Sequence, residues 1–241
     1  MTQKGIETAM LREGALTRED LLKIYLVLAH DLKSPIFSID GFSELLQSDY
    51  ADRLDEDGRD FLRRIRSSAG QIKRVLDDMS QLIKLLSRPD APRPVNLQEI
   101  VEEIRLKFAN LLDEGGVRFT VAGELPSVEA DAEKLREALG ALVCNAITFN
   151  ERPPGERVVE LHAIRKDGMH RICVRDNGIG VDPRYVDQIF ELGLKLDKQK
   201  GTGPGYGLFI AKSVAESHGG RIEVEPAPGG GSVFCLLLPD R

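Results

Sequence analysis

The chain has 241 residues, 41% of them hydrophobic and 30% charged, which is enough apolar material for one large or two modest folded domains. Its formal net charge of -6 builds no basic face and excludes a general nucleic-acid binder. No apolar run reaches the length of a membrane span, and the opening MTQKGIETAM lacks a signal-peptide core, so a cytoplasmic chain is expected.

Residues 1–16 are too short for a sensory domain. A helix is expected from Thr17, where Asp20 completes a capping-box pattern. Leu21, Ile24, Tyr25, Leu28, Leu32, Ile36, Ile39, Phe42 and Leu45 then recur at helical steps. A second stripe runs through Phe61, Ile65, Ala69, Ile72, Leu76, Met79, Ile83 and Leu86. The polar stretch 47–59 between them reads as the turn of a helical hairpin. Two helices cannot enclose a core, so the economical solution is a four-helix bundle made by two chains, with docking onto the rest of the chain as the alternative.

The prolines of SRPDAPRPV mark an extended linker. After it, helices are expected at Leu97–Glu114, Glu133–Phe149 and Tyr206–His218. Strands are expected at Val117–Val121, Val158–Arg165, Arg171–Asp176, Arg221–Pro226 and Ser232–Leu238. The resulting organisation is an extension (1–16), a helical hairpin (17–88), a linker (89–95) and a mixed-sheet α/β sandwich (96–241). Cys144, Cys173 and Cys235 lie far apart in apolar stretches. An odd number without close pairs reads as reduced core residues, with neither a disulfide frame nor a zinc site.

Three features of the second region follow one another along the chain. Asn145 lies on a predicted helix, where its amide oxygen can hold hydrated Mg2+ without adding charge, although alone it reads as an ordinary helix residue. Asp176-Asn177-Gly178-Ile179-Gly180 follows an apolar strand. Its aspartate can accept from an exocyclic amine such as adenine N6, and Gly178 and Gly180 let backbone approach a flat ring; a plain turn is the alternative. Gly201-Thr202-Gly203-Pro204-Gly205-Tyr206-Gly207-Leu208 opens a helix, presenting amides and a positive dipole end to phosphate without being a Walker A sequence.

In this order the three resemble the N, G1 and G2 boxes of the GHKL (Bergerat-type) ATP-binding fold, which includes the sensor histidine kinases, Hsp90, gyrase B and MutL. The resemblance covers roughly residues 96–239. It implies ATP and Mg2+ as cofactors, held by Asn145, Asp176, Gly178, Gly180, Gly203, Gly205, Gly207 and Leu208. Phe190 is then the anchor of a mobile lid, and Lys195 its basic residue near the phosphates. Hydrolysing members carry a glutamate where this chain has Ala141, so no general base for hydrolysis is evident.

His30-Asp31-Leu32-Lys33-Ser34-Pro35 resembles the H box of the HisKA dimerisation and phosphotransfer domain. His162, His170 and His218 lack such neighbours and read as structural. His30 lies about 200° around the helix from both Leu28 and Leu32, away from the apolar stripe. Leu26, Val27 and Phe37 fall on its side and form either a docking patch or the bundle's edge. Pro35 removes a helical hydrogen bond to the Asp31 carbonyl, so a kink is expected.

Together the resemblances imply a cytoplasmic, homodimeric histidine kinase of a two-component system, a dimeric four-helix bundle followed by a GHKL-type domain. His30 is the nucleophile, Asp31 fixes its tautomer, and the phosphoryl group passes to an aspartate of a response-regulator receiver domain. Input then comes from a separate sensory protein or a longer chain. A phosphotransferase or pseudokinase without its own turnover is the alternative. Departures from the family pattern are Ala141 for a second asparagine, Thr148 for a lysine and Gly193 for a second F-box phenylalanine. Ser34 stands where Thr or Asn commonly positions water for dephosphorylation.

Overall fold

The computed structural model describes residues 18–194 and 205–240, with side chains from 27 onward apart from 81. The chain divides into two compact units between Arg88 and Pro89. Among the described residues no helix is long and apolar enough to cross a membrane.

The first unit is an antiparallel hairpin of α1 (Arg18–Asp49) and α2 (Glu56–Ser87), joined through a 3-10 turn at Ala51–Arg53. Asp55 caps α2, its carboxylate accepting the Gly58 amide at 2.8 Å, while Glu56 and Asp57 complement the positive helix end. The helix assignment of α1 runs through Pro35 without a break. Thr17 and the Asp20 side chain lie outside the described residues.

The apolar pattern of each helix separates into two stripes. Among the described side chains of α1 the buried ones are Ala29 and Ser43, and Leu62, Ala69, Leu76 and Ile83 answer from α2 at steps of seven, the period of a coiled-coil seam. Leu28, Leu32, Ile39, Phe42 and Leu46, with Phe61, Ile65 and Ile72 of α2, form the second stripe and stay exposed in a single chain. The sequence had placed Leu28 and Leu32 on the buried side. Ala29 and Ser43 leave room at the seam for Leu62, Leu76 and Ile83 of α2, while the larger side chains of α1 lie outside it. Lys33 pairs with Asp77 at 2.7 Å, Lys73 lies 4.4 Å from the centre of the Phe37 ring, and Arg66 reaches Gln47 at 2.7 Å. These exposed contacts fix register more than they add stability.

The second unit carries a two-stranded sheet of β1 (Arg93–Asn96) and β3 (Ser127–Ala130). Its main sheet has the order β2-β4-β5-β7-β6, from β2 (Val117–Ala122), β4 (Arg157–Lys166), β5 (Met169–Asp176), β6 (Arg221–Pro226) and β7 (Ser232–Pro239). Only β2 and β4 run parallel. Helices α3 (Leu97–Lys107), α4 (Ala109–Gly115), α5 (Ala132–Thr148) and α6 (Gly207–Ser217) complete it. The sequence pattern gives neither β1 nor β3. Each has four residues, and Pro94, which cannot donate to a ladder, is tolerated here because β1 has only one neighbour. Residues 97–114 form two helices where the pattern predicts one, broken at Phe108.

The start of this unit is tied to its helices. Asp90 pairs with the buried Lys134 at 2.6 Å, and Asp131 Oδ2 accepts the Ala91 amide at 3.1 Å. Asp131 Oδ1 caps α5 through the Glu133 and Lys134 amides, and the Asp131 amide donates to His218 Nε2 at 2.9 Å. His218 thereby acts as a structural residue at the end of α6, its Nδ1 lying 2.8 Å from the Val214 carbonyl oxygen.

The cysteines require a correction. Cys173 and Cys235 are joined by a disulfide across β5 and β7, leaving Cys144 as the free thiol. Strand pairing sets them directly opposite one another although 62 residues separate them. Linear spacing carries no trace of that.

Gly220 packs so closely beneath β7 that an added Cβ would meet the Leu237 carbonyl oxygen at 1.9 Å. Gly220→Ala should therefore destabilise the chain by about 3 kcal/mol. Gly123→Ala, strained only by its φ of 77° with open space around it, should cost about 1 kcal/mol. Urea unfolding of both variants checks the ordering.

Candidate functional site

The end of β5 is built around one carboxylate. Asp176 is buried, and its Oδ1 accepts the Gly178 amide at 2.8 Å and the Ser232 amide at 3.3 Å. Its Oδ2 takes no protein partner among the described residues. Burial holds the carboxyl above the usual aspartate range, and the two amide bonds only partly offset that. An amine donor arriving at Oδ2 would find an acceptor already oriented.

Asn177 has a different role. Its Oδ1 accepts from Asn150 Nδ2 at 2.8 Å and the Val158 amide at 2.9 Å, while its Nδ2 donates to the Glu156 carbonyl. Arg152 adds two bonds, to the carbonyls of Asn177 at 2.7 Å and Gly229 at 3.2 Å. This brace fixes the turn after β5 to the loop before β4. Sequence reasoning missed Arg152 and Asn150, because their partners lie 25 or more residues away.

Glycine is required here for close approach. A Cβ on Gly178 would lie 2.5 Å from the Phe149 carbonyl oxygen at the end of α5, and one on Gly231 would lie 2.2 Å from the Asp176 carbonyl oxygen. Gly180 and Gly205 have φ values of 76° and 84°.

Helix α5 carries the third part. Ala141, Asn145 and Phe149 are four residues apart and share one face. Phe149 touches the Gly178 turn, and Ala141 Cβ would be 3.4 Å from a Cβ on Gly207, the first residue of α6. Asn145 thus stands one turn from both, half-buried, with no protein hydrogen bond to its side chain among the described residues. Leu208 packs against the core just beyond. Among the described residues no group of three or more His, Cys, Asp or Glu could hold a metal ion. The Asn145 side chain offers one neutral amide oxygen, a ligand type that a hydrated hard cation accepts.

Phe190 is buried edge-to-face on Phe234, with ring centres 6.4 Å apart. Gly193, at φ 76°, sits in backbone that a phenylalanine rarely adopts. Lys195 and Gly203 lie outside the described residues.

His30 and Asp31 belong to the first unit. Both are exposed, with His30 Nδ1 3.3 Å from Asp31 Oδ1. In the tautomer whose Nδ1 carries the proton, Nδ1–H would donate to that carboxylate and leave the lone pair on Nε2. Val27 and Phe37 are exposed, and the Leu26 side chain lies outside the described set. The other histidines are engaged or remote. His170 is buried against Asp240 at 3.1 Å, and His162 lies on β4.

Comparison with known proteins supplies the family. Residues 26–92 match the model of the His Kinase A (phospho-acceptor) domain, and residues 130–241 match that of the histidine kinase-, DNA gyrase B- and HSP90-like ATPase. The chain belongs to the sensor histidine kinase family. The phytochrome-like protein Cph1 of Synechocystis is 30% identical over 91% of this chain and 29% of its own length. The sensor protein DivL of Caulobacter vibrioides is 34% identical over 95% of this chain and 30% of its own. The chain thus spans about a third or less of such curated relatives. Among solved structures, full-length ShkA in complex with AMPPNP superposes with a TM-score of 0.68 at 25% identity, over 90% of this chain and 45% of that one. The mycobacterial sensor histidine kinase MprB gives 0.54 at 25% identity, over 62% of this chain and 97% of that one. The helical region followed by a mixed-sheet ATPase-type domain is the architecture of this family.

The raised pKa of Asp176 gives a signed prediction. A carboxyl whose folded pKa exceeds its unfolded value stabilises the fold below the unfolded pKa, and that contribution is lost as pH rises through the folded one. Asp176→Asn should therefore match or exceed the parent's Tm at pH 7. On a reading in which Oδ2 accepts the adenine amine, it should also weaken adenine-nucleotide affinity about 100-fold, since a hydrogen bond to charge would be lost and an amide donor would face the amine. Affinity of the parent should fall on acidification above the pH at which an ordinary aspartate titrates, readable by titration with a fluorescent nucleotide.

Proposed function

We propose that the chain is the catalytic part of an ATP-dependent histidine kinase of a two-component system. On this reading it phosphorylates His30 from Mg-ATP and passes the phosphoryl group to a receiver-domain aspartate. The observation that carries the reading is the face of α5 on which Asn145 stands unpartnered between the Gly178 turn and the first residue of α6. Adenine would set its amine against Asp176 Oδ2, with Gly178 and Gly180 keeping the ring's surroundings free of side chains. Phosphates would lie at the start of α6 among Gly203, Gly205, Gly207 and Leu208, with Lys195 adding charge. Asn145 would supply the protein oxygen to Mg2+, which when bound neutralises developing phosphate charge.

His30 Nε2 would attack the γ-phosphorus, forming the N–P bond as the bridging P–O bond breaks and ADP leaves. The ring turns cationic in that step. Asp31, accepting from Nδ1–H in that tautomer, stabilises the charge and can take the proton. Family membership and the AMPPNP complex of ShkA support ATP as the donor.

The exposed stripe of Leu28, Leu32, Ile39, Phe42, Leu46, Phe61, Ile65 and Ile72 is the surface through which two chains would build a four-helix bundle. His30 lies on the opposite side of α1, so dimerisation would leave it accessible. Val27 and Phe37, with Leu26, border it as a docking patch for the ATP domain and the receiver. Such a protein works in the cytoplasm and takes its stimulus from a separate sensory protein or from further segments of a longer chain.

Incubation with γ-labelled ATP and Mg2+ tests the reading. Acid-labile, base-stable label that vanishes in His30→Gln is expected. Bound ATP without label would show a pseudokinase, and absence of nucleotide binding would leave only a phosphotransferase. In light scattering at micromolar concentration the parent should have the mass of a dimer, and Phe42→Glu with Ile65→Glu that of a monomer. A monomeric parent would sink the bundle.

A further inference from the structure

We propose that the Cys173–Cys235 pair is a redox modification site, a substrate for dithiol reductants, whose state sets the affinity of the nucleotide site. The coupling, though not the pair itself, rests on the ATP reading above. Three observations carry it.

The first is compartment. A domain that consumes ATP works where thiols are kept reduced, and disulfides found there are usually transient or redox-sensing. Here strand pairing sets the two cysteines opposite each other with Cα atoms 4.1 Å apart, so they bond as neighbours without rearrangement.

The second is placement within the sheet. Ile172 and Val174 of β5, with Phe234 and Leu236 of β7, join the main core along with the helices. Cys173, Cys235 and Leu237 form a separate buried cluster, with Met169 and Val233, both on strands, packed against it. Among the described residues no helix residue belongs to that cluster. The cysteines are buried, but in this strand cluster and not in the main core.

The third is position relative to the site. Cys173 lies three residues before Asp176 on β5, and Cys235 three residues after Ser232 on β7. Those two residues meet where the Ser232 amide donates to Asp176 Oδ1, and Gly231 packs against the Asp176 carbonyl. The disulfide therefore clamps the two strands about 10 Å from the junction that orients the carboxylate. The balanced step is attack of a dithiol's thiolate on one sulfur, giving a mixed disulfide that the second thiolate resolves. Two electrons reach the cysteines, two protons make them thiols, and the reagent closes to its own disulfide. Without the clamp the strands remain hydrogen-bonded but can fray toward Ser232.

The test uses the full chain equilibrated in glutathione buffers from oxidised to reduced, then denatured and alkylated. The count of reactive thiols should rise from one, Cys144, to three across the series; a constant count of one or three overturns the redox site. A fluorescent ATP analogue should bind the reduced form about fivefold more weakly or worse, and Cys173→Ala with Cys235→Ala should bind like the reduced form and ignore the buffer. Equal affinity in both forms overturns the coupling. A shifting thiol count in a chain that binds no nucleotide in either form would support the redox site while sinking the ATP reading, so the two failures are distinguishable.

Discussion

At the end of β5 three pieces of backbone meet with no room for a methyl group between them. Gly178 lies against the last turn of α5, Gly231 against the carbonyl of Asp176, and Gly180 close to the Gly231 carbonyl. The rest of the second unit depends on this junction. It brings the start of β7 close enough for Ser232 to bond Asp176, and it sets the turn after β5 against the helix that carries Asn145. A Cβ at Gly178 or Gly231 would push apart elements that no side-chain rotamer could bring back together. Close packing of backbone, more than any single polar contact, positions the candidate ligand groups.

Electrostatics then follows from that packing. Asp176 is buried because backbone surrounds it, and burial alone would favour the neutral acid. Two amides committed to Oδ1 offset part of the cost and leave Oδ2 directed outward. The same economy appears at the other end of α5. Asp131 caps the helix, receives the entering chain at Ala91 and donates its own amide to His218, so α5 and α6 are bound together at the ends remote from the site. One end of each helix is anchored while the other faces the position proposed for phosphate and metal.

The parts of this arrangement that were legible in the sequence are those encoded within a few residues. The hairpin and the main strands follow from local period, while the three glycine- or asparagine-centred motifs, each weak alone, drew their meaning from their shared order and the family resemblance. Arg152 and Asn150 were not legible, because their role exists only once β4, β5 and the loop before β7 are assembled. Nor was the Cys173–Cys235 bond, which depends on strand register. The division of the hairpin's apolar residues was read only in part. Periodicity gave their helical spacing, but not that α1 turns Ala29 and Ser43 to the seam, against Leu62, Leu76 and Ile83 of α2, while Leu28, Leu32 and Phe42 stay outside it.

Position 141 draws these strands together. In this chain the residue one turn before Asn145 is alanine, and its Cβ abuts the first residue of α6. The small side chain suits the close approach of the first residue of α6 to α5, and on the proposed reading position 141 offers no carboxylate to activate water. On that reading the phosphoryl acceptor is a residue of the first unit, and His30 is the one proposed. It is exposed on α1, with Nδ1 3.3 Å from Asp31 Oδ1. On the proposed reading, packing at one alanine and exposure at one histidine are complementary halves of the same chemistry.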